Sequence, residues 1–305
     1  MPAMYESLTV PRGEDRLAVR CYADPADAPD APVAVVWPAM GVPAGYYGPF
    51  AAALRERGMG VAVVDLRGTG DSTPRPGRAS RYGYRELAGD VGVVLDVLKP
   101  RLGDRRRVLV GHSLGGQACL LHLAHTGDTS VDGLALVAVG VPYWRLYGRP
   151  RRYGVLPVTQ AIGAAAGVLG VWPGWGFGGR QARGVMRDWA RTARTGRLPG
   201  WDGVDPAVAL RRLTTPVLAV SVDDDTFTPA PTVDHLCAML PPGLVRREHY
   251  TAAAAGARLD HFRWARAAGP LAARIARFAG APADGPETAR GPAGADAAGP
   301  RIVEE

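Results

Sequence analysis

Ser113 stands between two glycines in VLVGHSLGGQA (residues 108–118), where a strongly β-forming stretch runs into helix-forming residues with no spacer. A serine hydroxyl is a weak nucleophile near neutral pH. To attack a carbonyl it needs a base that takes its proton and N–H donors that stabilise the oxyanion. A strand-to-helix turn supplies part of the second requirement, because the free N–H groups and positive dipole end of the helix face the turn. A residue held on such a turn carries strained dihedrals, at a cost of about 1–3 kcal/mol. Gly111 and Gly115 leave room for neighbouring elements to approach it. In a chain with 40 glycines, G-x-S-x-G is a modest signal by itself. Between a predicted strand and a predicted helix it has the setting of a nucleophile elbow. The alternative is a glycine-rich packing loop.

Six histidines are available as the base. Cys119, His122 and His125 follow one another at three-residue steps, which turn by about 60° each around a helix. No carboxylate lies close to them in sequence, so no metal site is expected. His112 adjoins the nucleophile, but its side chain leaves the turn in another direction. His261, in LDHFRWAR, follows the last predicted strand and precedes the final helix, and is the candidate base. The candidate acid is Asp225 in DDDTFTP, directly after the strand PVLAVSV, with a proline four residues on that closes a loop leaving the sheet edge. Asp224 is its rival. The bland reading of these carboxylates is a helix cap or a solvated turn.

Elements must bring these three residues together. YESLTV and RLAVRCY alternate around PRGED and predict an antiparallel hairpin. Continuous apolar runs at 33–37, 61–65, 107–111, 133–140 and 216–222 predict strands buried on both faces, as in a parallel sheet. Helical patterns cover 50–58, 84–103, 115–127 and 271–280. The alternation predicts an α/β fold with a mostly parallel central sheet flanked by helices. The rhythm breaks between Val141 and Asp205, where five of the seven tryptophans fall, so an inserted cap is expected there. The division is then core over 1–140, cap or lid over 141–205, core again over 206–280, and a disordered Ala/Gly/Pro-rich tail over 281–305.

At 47% hydrophobic residues the chain can bury a large core. Its start has no apolar segment like that of a signal peptide, and three scattered cysteines (Cys21, Cys119, Cys237) make no disulfide framework, so a cytoplasmic protein is expected. The net charge of +7 comes from arginines spread along the chain, with no basic stripe or interleaved aromatics, so no nucleic-acid partner is expected. The charge-free stretch from Gly154 to Gly179 contains two prolines, and its dense apolar part is too short to cross a bilayer. It reads as a flexible apolar lid, its glycines allowing hinge motion. The arginines at 145, 149, 151 and 152 beside it offer either a solvated flank or a contact for an anionic group. Oligomeric state is not legible.

The order Ser113, Asp225, His261, each at the carboxyl end of a strand, matches that of α/β-hydrolases. The chain resembles that superfamily over about residues 5–280. PAMGVPAGYYGPF, DLRGTGDS, GHSLGG, DDDTFTP and LDHFRW are similar to a bacterial branch of predicted serine hydrolases, most without assigned substrates. The resemblance implies an oxyanion hole from the N–H groups of Leu114 and Met40, although this chain has Pro38-Ala39 where many members have His-Gly. It also implies that Asp65, Arg67, Gly68, Asp71 and Ser72 form a loop bracing the elbow. The expected activity is cleavage of a carboxylic ester or thioester through Ser113, His261 and Asp225, with no cofactor. The substrate is a small-molecule acyl compound, and Trp172 and Trp175 in the cap would face its apolar acyl group. An acyltransferase using the same site, or a non-catalytic binding protein, is the alternative.

Overall fold

In a computed structural model describing residues 5–25 and 30–281, the apolar runs form one eight-stranded sheet. β1 (Tyr5–Arg12) and β2 (Asp15–Tyr22) pair antiparallel around a tight turn at Gly13, whose φ of 64° suits glycine. The strand–helix rhythm then begins with β3 (Val33–Trp37), α1 (Gly48–Arg55), β4 (Gly60–Val64) and α2 (Tyr84–Leu102). It continues with β5 (Arg107–His112), α3 (Leu114–Thr126) and β6 (Gly133–Val137). An excursion follows: α4 (Arg152–Leu169), a short ribbon of β7 (Val171–Trp172) and β8 (Gln181–Ala182), α5 (Arg183–Thr195) and α6 (Pro206–Leu210). The chain returns to the sheet with β9 (Val217–Val222), α7 (Ala230–Cys237) and β10 (Val245–Tyr250), then ends its described part with α8 (Ala252–Ala255) and α9 (Gly269–Ala279).

The strand order is β1-β2-β4-β3-β5-β6-β9-β10, with β2 antiparallel to β4 and every later pairing parallel. Side chains alternate across each strand, so β3 sends Val33, Val35 and Trp37 into a core shared with α2 and α3. Ala34 and Val36 enter a second core with α1 and α9. Both faces are therefore apolar, which is why the inner strands lack an alternating pattern.

β10 and the charge-free stretch both depart from expectation. β10 (VRREHY) is a sheet edge with one neighbour, so its composition is mixed and no apolar run announces it. The charge-free stretch expected as a flexible lid is largely the continuous helix α4, running through Pro157. Among the described residues no helix is long and apolar enough to cross a membrane. The tail expected over 281–305 lies, beyond Ala281, outside the described residues.

Candidate active site

β5 ends at His112 and α3 begins at Leu114, leaving Ser113 alone on the turn with φ 50° and ψ −120°. A non-glycine residue there is strained, and the surrounding packing holds it. A methyl group at Gly111 would collide with the Gly116 backbone. One at Gly115 would meet the carbonyl oxygens of Trp37 and Pro38, so this glycine lets α3 start against the end of β3.

The loop after β9 carries the two rival acids. Asp224 is exposed at φ 55°, whereas Asp225 is buried and its Oδ2 accepts from His261 Nδ1 at 2.8 Å. Oδ1 of Asp225 accepts from the N–H groups of Phe227 and Thr228 at 2.8 Å each, and the Thr228 hydroxyl donates to Oδ2 at 2.6 Å. Burial pushes this carboxyl up, but the His261 hydrogen bond and charge, with Thr228, hold it below the ordinary aspartate value. It is an ionised acceptor that fixes the Nδ1–H tautomer of His261 and leaves Nε2 free. The imidazole sits on a loop folded by Asp260, whose Oδ1 accepts from Phe262 and Arg263 N–H at 2.8 and 2.7 Å.

The loop after β3 is held by two adjacent tyrosines that the sequence reading missed. The Tyr47 hydroxyl accepts the Ala39 N–H at 2.9 Å and shares a 2.7 Å hydrogen bond with His112 Nδ1. With the Ala39 N–H so engaged, the next N–H along the chain belongs to Met40, which lines the same cavity as Leu114. The Leu114 N–H, in the first turn of α3, has no intrahelical partner. Tyr46 donates to the Phe262 carbonyl at 2.9 Å, tying this loop to the one that bears His261. His112 is fully enclosed between Tyr47, His261 and Trp264, and burial, reinforced by His261, holds its imidazole well below the usual histidine range. The only available sequence signal was a pair of tyrosines just after a strand end.

The loop expected to brace the elbow acts one step away from it. Asp65 accepts from Ala44 N–H at 2.6 Å and Asp71 N–H at 3.0 Å, Ser72 bonds β2 through Ala18 N–H, and Arg67 grips Asp90 of α2. These contacts fix the loop after β3 and the start of α2.

Ser113, Leu114, Met40 and His261 line one cavity of about 540 Å³ between the carboxyl edge of the sheet and the excursion. Its apolar wall includes Val155, Ile162, Phe177, Trp189 and Phe227. Trp172 and Trp175 are not among its lining residues. Trp172 is buried within the ribbon, its indole donating to the Phe177 carbonyl at 2.8 Å, and Trp175 is 66% exposed. The tryptophan on the cavity is Trp189, stacked on Phe177 with ring centroids 4.7 Å apart. The expected contact of Trp172 and Trp175 with an acyl group therefore does not fall on this cavity, whose lining has Trp189 instead.

The histidines set aside as metal ligands have structural partners. His122 Nε2 lies 3.1 Å from Asp128, a carboxylate six residues on that the sequence reading overlooked, and His125 stacks on Trp201 at 3.8 Å. Among the described residues no group of three or more His, Cys, Asp and Glu could hold a metal. A second Ser–His–Asp set exists: Ser221 lies 2.7 Å from His249 Nδ1, and His249 Nε2 lies 2.8 Å from Asp223. Ser221 is fully buried and also accepts from Arg247, so this set pins β10 to β9.

Three solved structures show the same fold at low sequence identity. A hydrolase from Pseudomonas aeruginosa PA01 is 20% identical, with a TM-score of 0.59 over 92% of this chain and 100% of its own. An enol-lactonase from Burkholderia xenovorans LB400 is 18% identical, with a TM-score of 0.58 over 89% and 99%. A thioesterase domain from the curacin biosynthetic pathway is 16% identical, with a TM-score of 0.58 over 90% and 99%. No curated protein matches the chain by sequence. The family described as serine aminopeptidase, S33, matches residues 28–197, over half of the chain. The chain belongs to this serine aminopeptidase S33 family, and is a serine hydrolase of the α/β-hydrolase fold.

Proposed function

We propose that the protein cleaves carboxylic esters or thioesters with an apolar acyl group, with Ser113 as nucleophile, His261 as base and Asp225 as the acid that orients it. The observation that carries this reading is the buried 2.8 Å pair of Asp225 and His261 on the same cavity as the strained Ser113. In this reading His261 Nε2 takes the Ser113 proton while Oγ bonds the acyl carbon. The oxyanion forms against the Leu114 and Met40 N–H groups, each such donor worth roughly 3 kcal/mol. The proton passes to the departing oxygen or sulfur as its bond to the acyl carbon breaks. Water, deprotonated by His261, then releases the acid and restores Ser113. The segment 141–205 acts as a cap whose Trp189 and Phe177 meet the acyl group.

The family's name points to peptides with a free amino terminus. An ammonium group needs an anionic partner, and among the described residues no Asp or Glu lines this cavity. Its apolar wall suits an acyl chain better. A panel of acyl esters and thioesters graded by chain length tests the assignment. Turnover that is lost in Ser113→Ala supports it, and equal turnover in that variant overturns it.

A further inference from the structure

Among the described residues lining the cavity, Arg151 is the only one with a fixed charge. Three arginines around it have partners, and Arg149, exposed like Arg151, lies off the cavity lining. Arg145 lies over the Trp144 ring at 5.1 Å, Arg152 lies over Tyr153 at 4.9 Å, and Arg180 donates to the Pro76 carbonyl at 2.6 Å. The Arg151 guanidinium has no such partner among the described residues. Nor does fold stability favour it there, because it caps the start of α4, where the helix dipole disfavours a cation.

Its position relative to the candidate base is defined. Arg151, Val155, Val158, Thr159 and Ile162 recur along one face of α4 and roof the cavity. Arg151 is at the exposed end of this stripe, and Ile162 lies about 16 Å further along the helix. Arg151 and His261 line the same cavity, and Tyr147, four residues before Arg151, connects to the base through Phe227. Tyr147 donates its hydroxyl to the Phe227 carbonyl at 2.6 Å, and the Phe227 ring is 5.2 Å from the His261 ring. The Tyr147 phenol is pushed up by burial and by Asp225 and drawn back by Arg151, so it lies within the field of both charges.

We propose that Arg151 holds an anionic group on the leaving-group side of the substrate, so that the acyl chain arrives as a thioester or ester of a phosphate-bearing carrier. This rests on Ser113 and His261 being nucleophile and base. The base hands its proton to the leaving group, which therefore departs on the His261 side, past Phe227 and Tyr147 towards Arg151. The acyl chain takes the other direction along α4, towards Ile162. For a thioester, the acyl–sulfur bond breaks as the Ser113–acyl bond forms. The serine proton reaches the sulfur through His261, and the free thiol leaves with its phosphate. Water completes the cycle.

The test compares one acyl chain carried on coenzyme A with the same chain on neutral N-acetylcysteamine, at low ionic strength. The ratio of kcat/KM values for the two thioesters should fall about tenfold in Arg151→Gln, mainly through KM, and fall further in Arg151→Glu. It should hold in Arg149→Gln, which removes an exposed charge two residues away and off the cavity lining. An unchanged ratio in Arg151→Gln, or an equal fall in Arg149→Gln, overturns the proposal. A second pair on N-acetylcysteamine, with an acyl chain ending in a carboxylate or its methyl ester, asks where the anion sits. Loss of a carboxylate preference in Arg151→Gln would place it on the acyl group and overturn the leaving-group assignment. Full turnover of every thioester by Ser113→Ala would instead remove the underlying site assignment.

Discussion

Asp224 and Asp225 are neighbours with the same side chain, and the backbone sends one into solvent and the other against His261. Replacing Asp225 by Asn keeps the shape but removes the acceptor that enforces the Nδ1–H tautomer. Turnover of Asp225→Asn should drop on the order of 10⁴-fold, while Asp224→Asn stays within a few-fold. Steady-state kinetics with one ester decides this, and the opposite ranking would make Asp224 the acid. The placement of Ser113 and His261 on one cavity was legible because each sits between recognisable elements. The choice between two adjacent aspartates was not, since burial and hydrogen bonding are properties of the folded loop. Tyr46 and Tyr47 were invisible for a related reason: their partners lie 216 and 65 residues away in the chain.

At the scale of elements, the inner strands were legible because burial on both faces demands unbroken apolar runs, and β10 was not because an edge strand has no such demand. The excursion between β6 and β9 was legible as an interruption, but its internal arrangement was not. Tryptophan content marks the segment, yet which rings reach the cavity depends on how α4, the ribbon and α5 pack. Trp189, packed on Phe177, closes part of the apolar wall, and removing its ring should lengthen the space open to an acyl chain. Trp189→Ala should therefore shift the preferred acyl length upward, while Trp175→Ala, at a 66% exposed position, leaves the profile unchanged. A chain-length series of esters measures both. If Trp175→Ala moves the optimum and Trp189→Ala does not, the acyl wall has been placed on the wrong side of the ribbon.

The whole molecule joins its two cores at the sheet, and His112 is enclosed between the sheet and the Trp264 cluster. Its native imidazole resists protonation, whereas in an unfolded chain it titrates near 6.5. Below that value the unfolded state binds the extra proton, so stability contributed by neutral His112 is complete above about pH 6.5 and is lost as pH falls towards the depressed native value. Each pH unit in that window is worth about 1.4 kcal/mol for one proton. Asp225 adds a separate, more acidic window: its contribution is complete above about pH 4 and is lost as pH falls through its lowered native value. Chemical denaturation at pH 7.0 and 5.5 should show a larger loss of stability in the native sequence than in His112→Asn. Equal losses would mean that another group governs this range. A fluorophosphonate probe followed by peptide mass spectrometry tests whether the fold assembles Ser113, His261 and Asp225 into one nucleophilic device. A single adduct is expected on Ser113, absent in Ser113→Ala and strongly slowed in His261→Ala. An adduct on another serine, or undiminished labelling of Ser113→Ala, would contradict it.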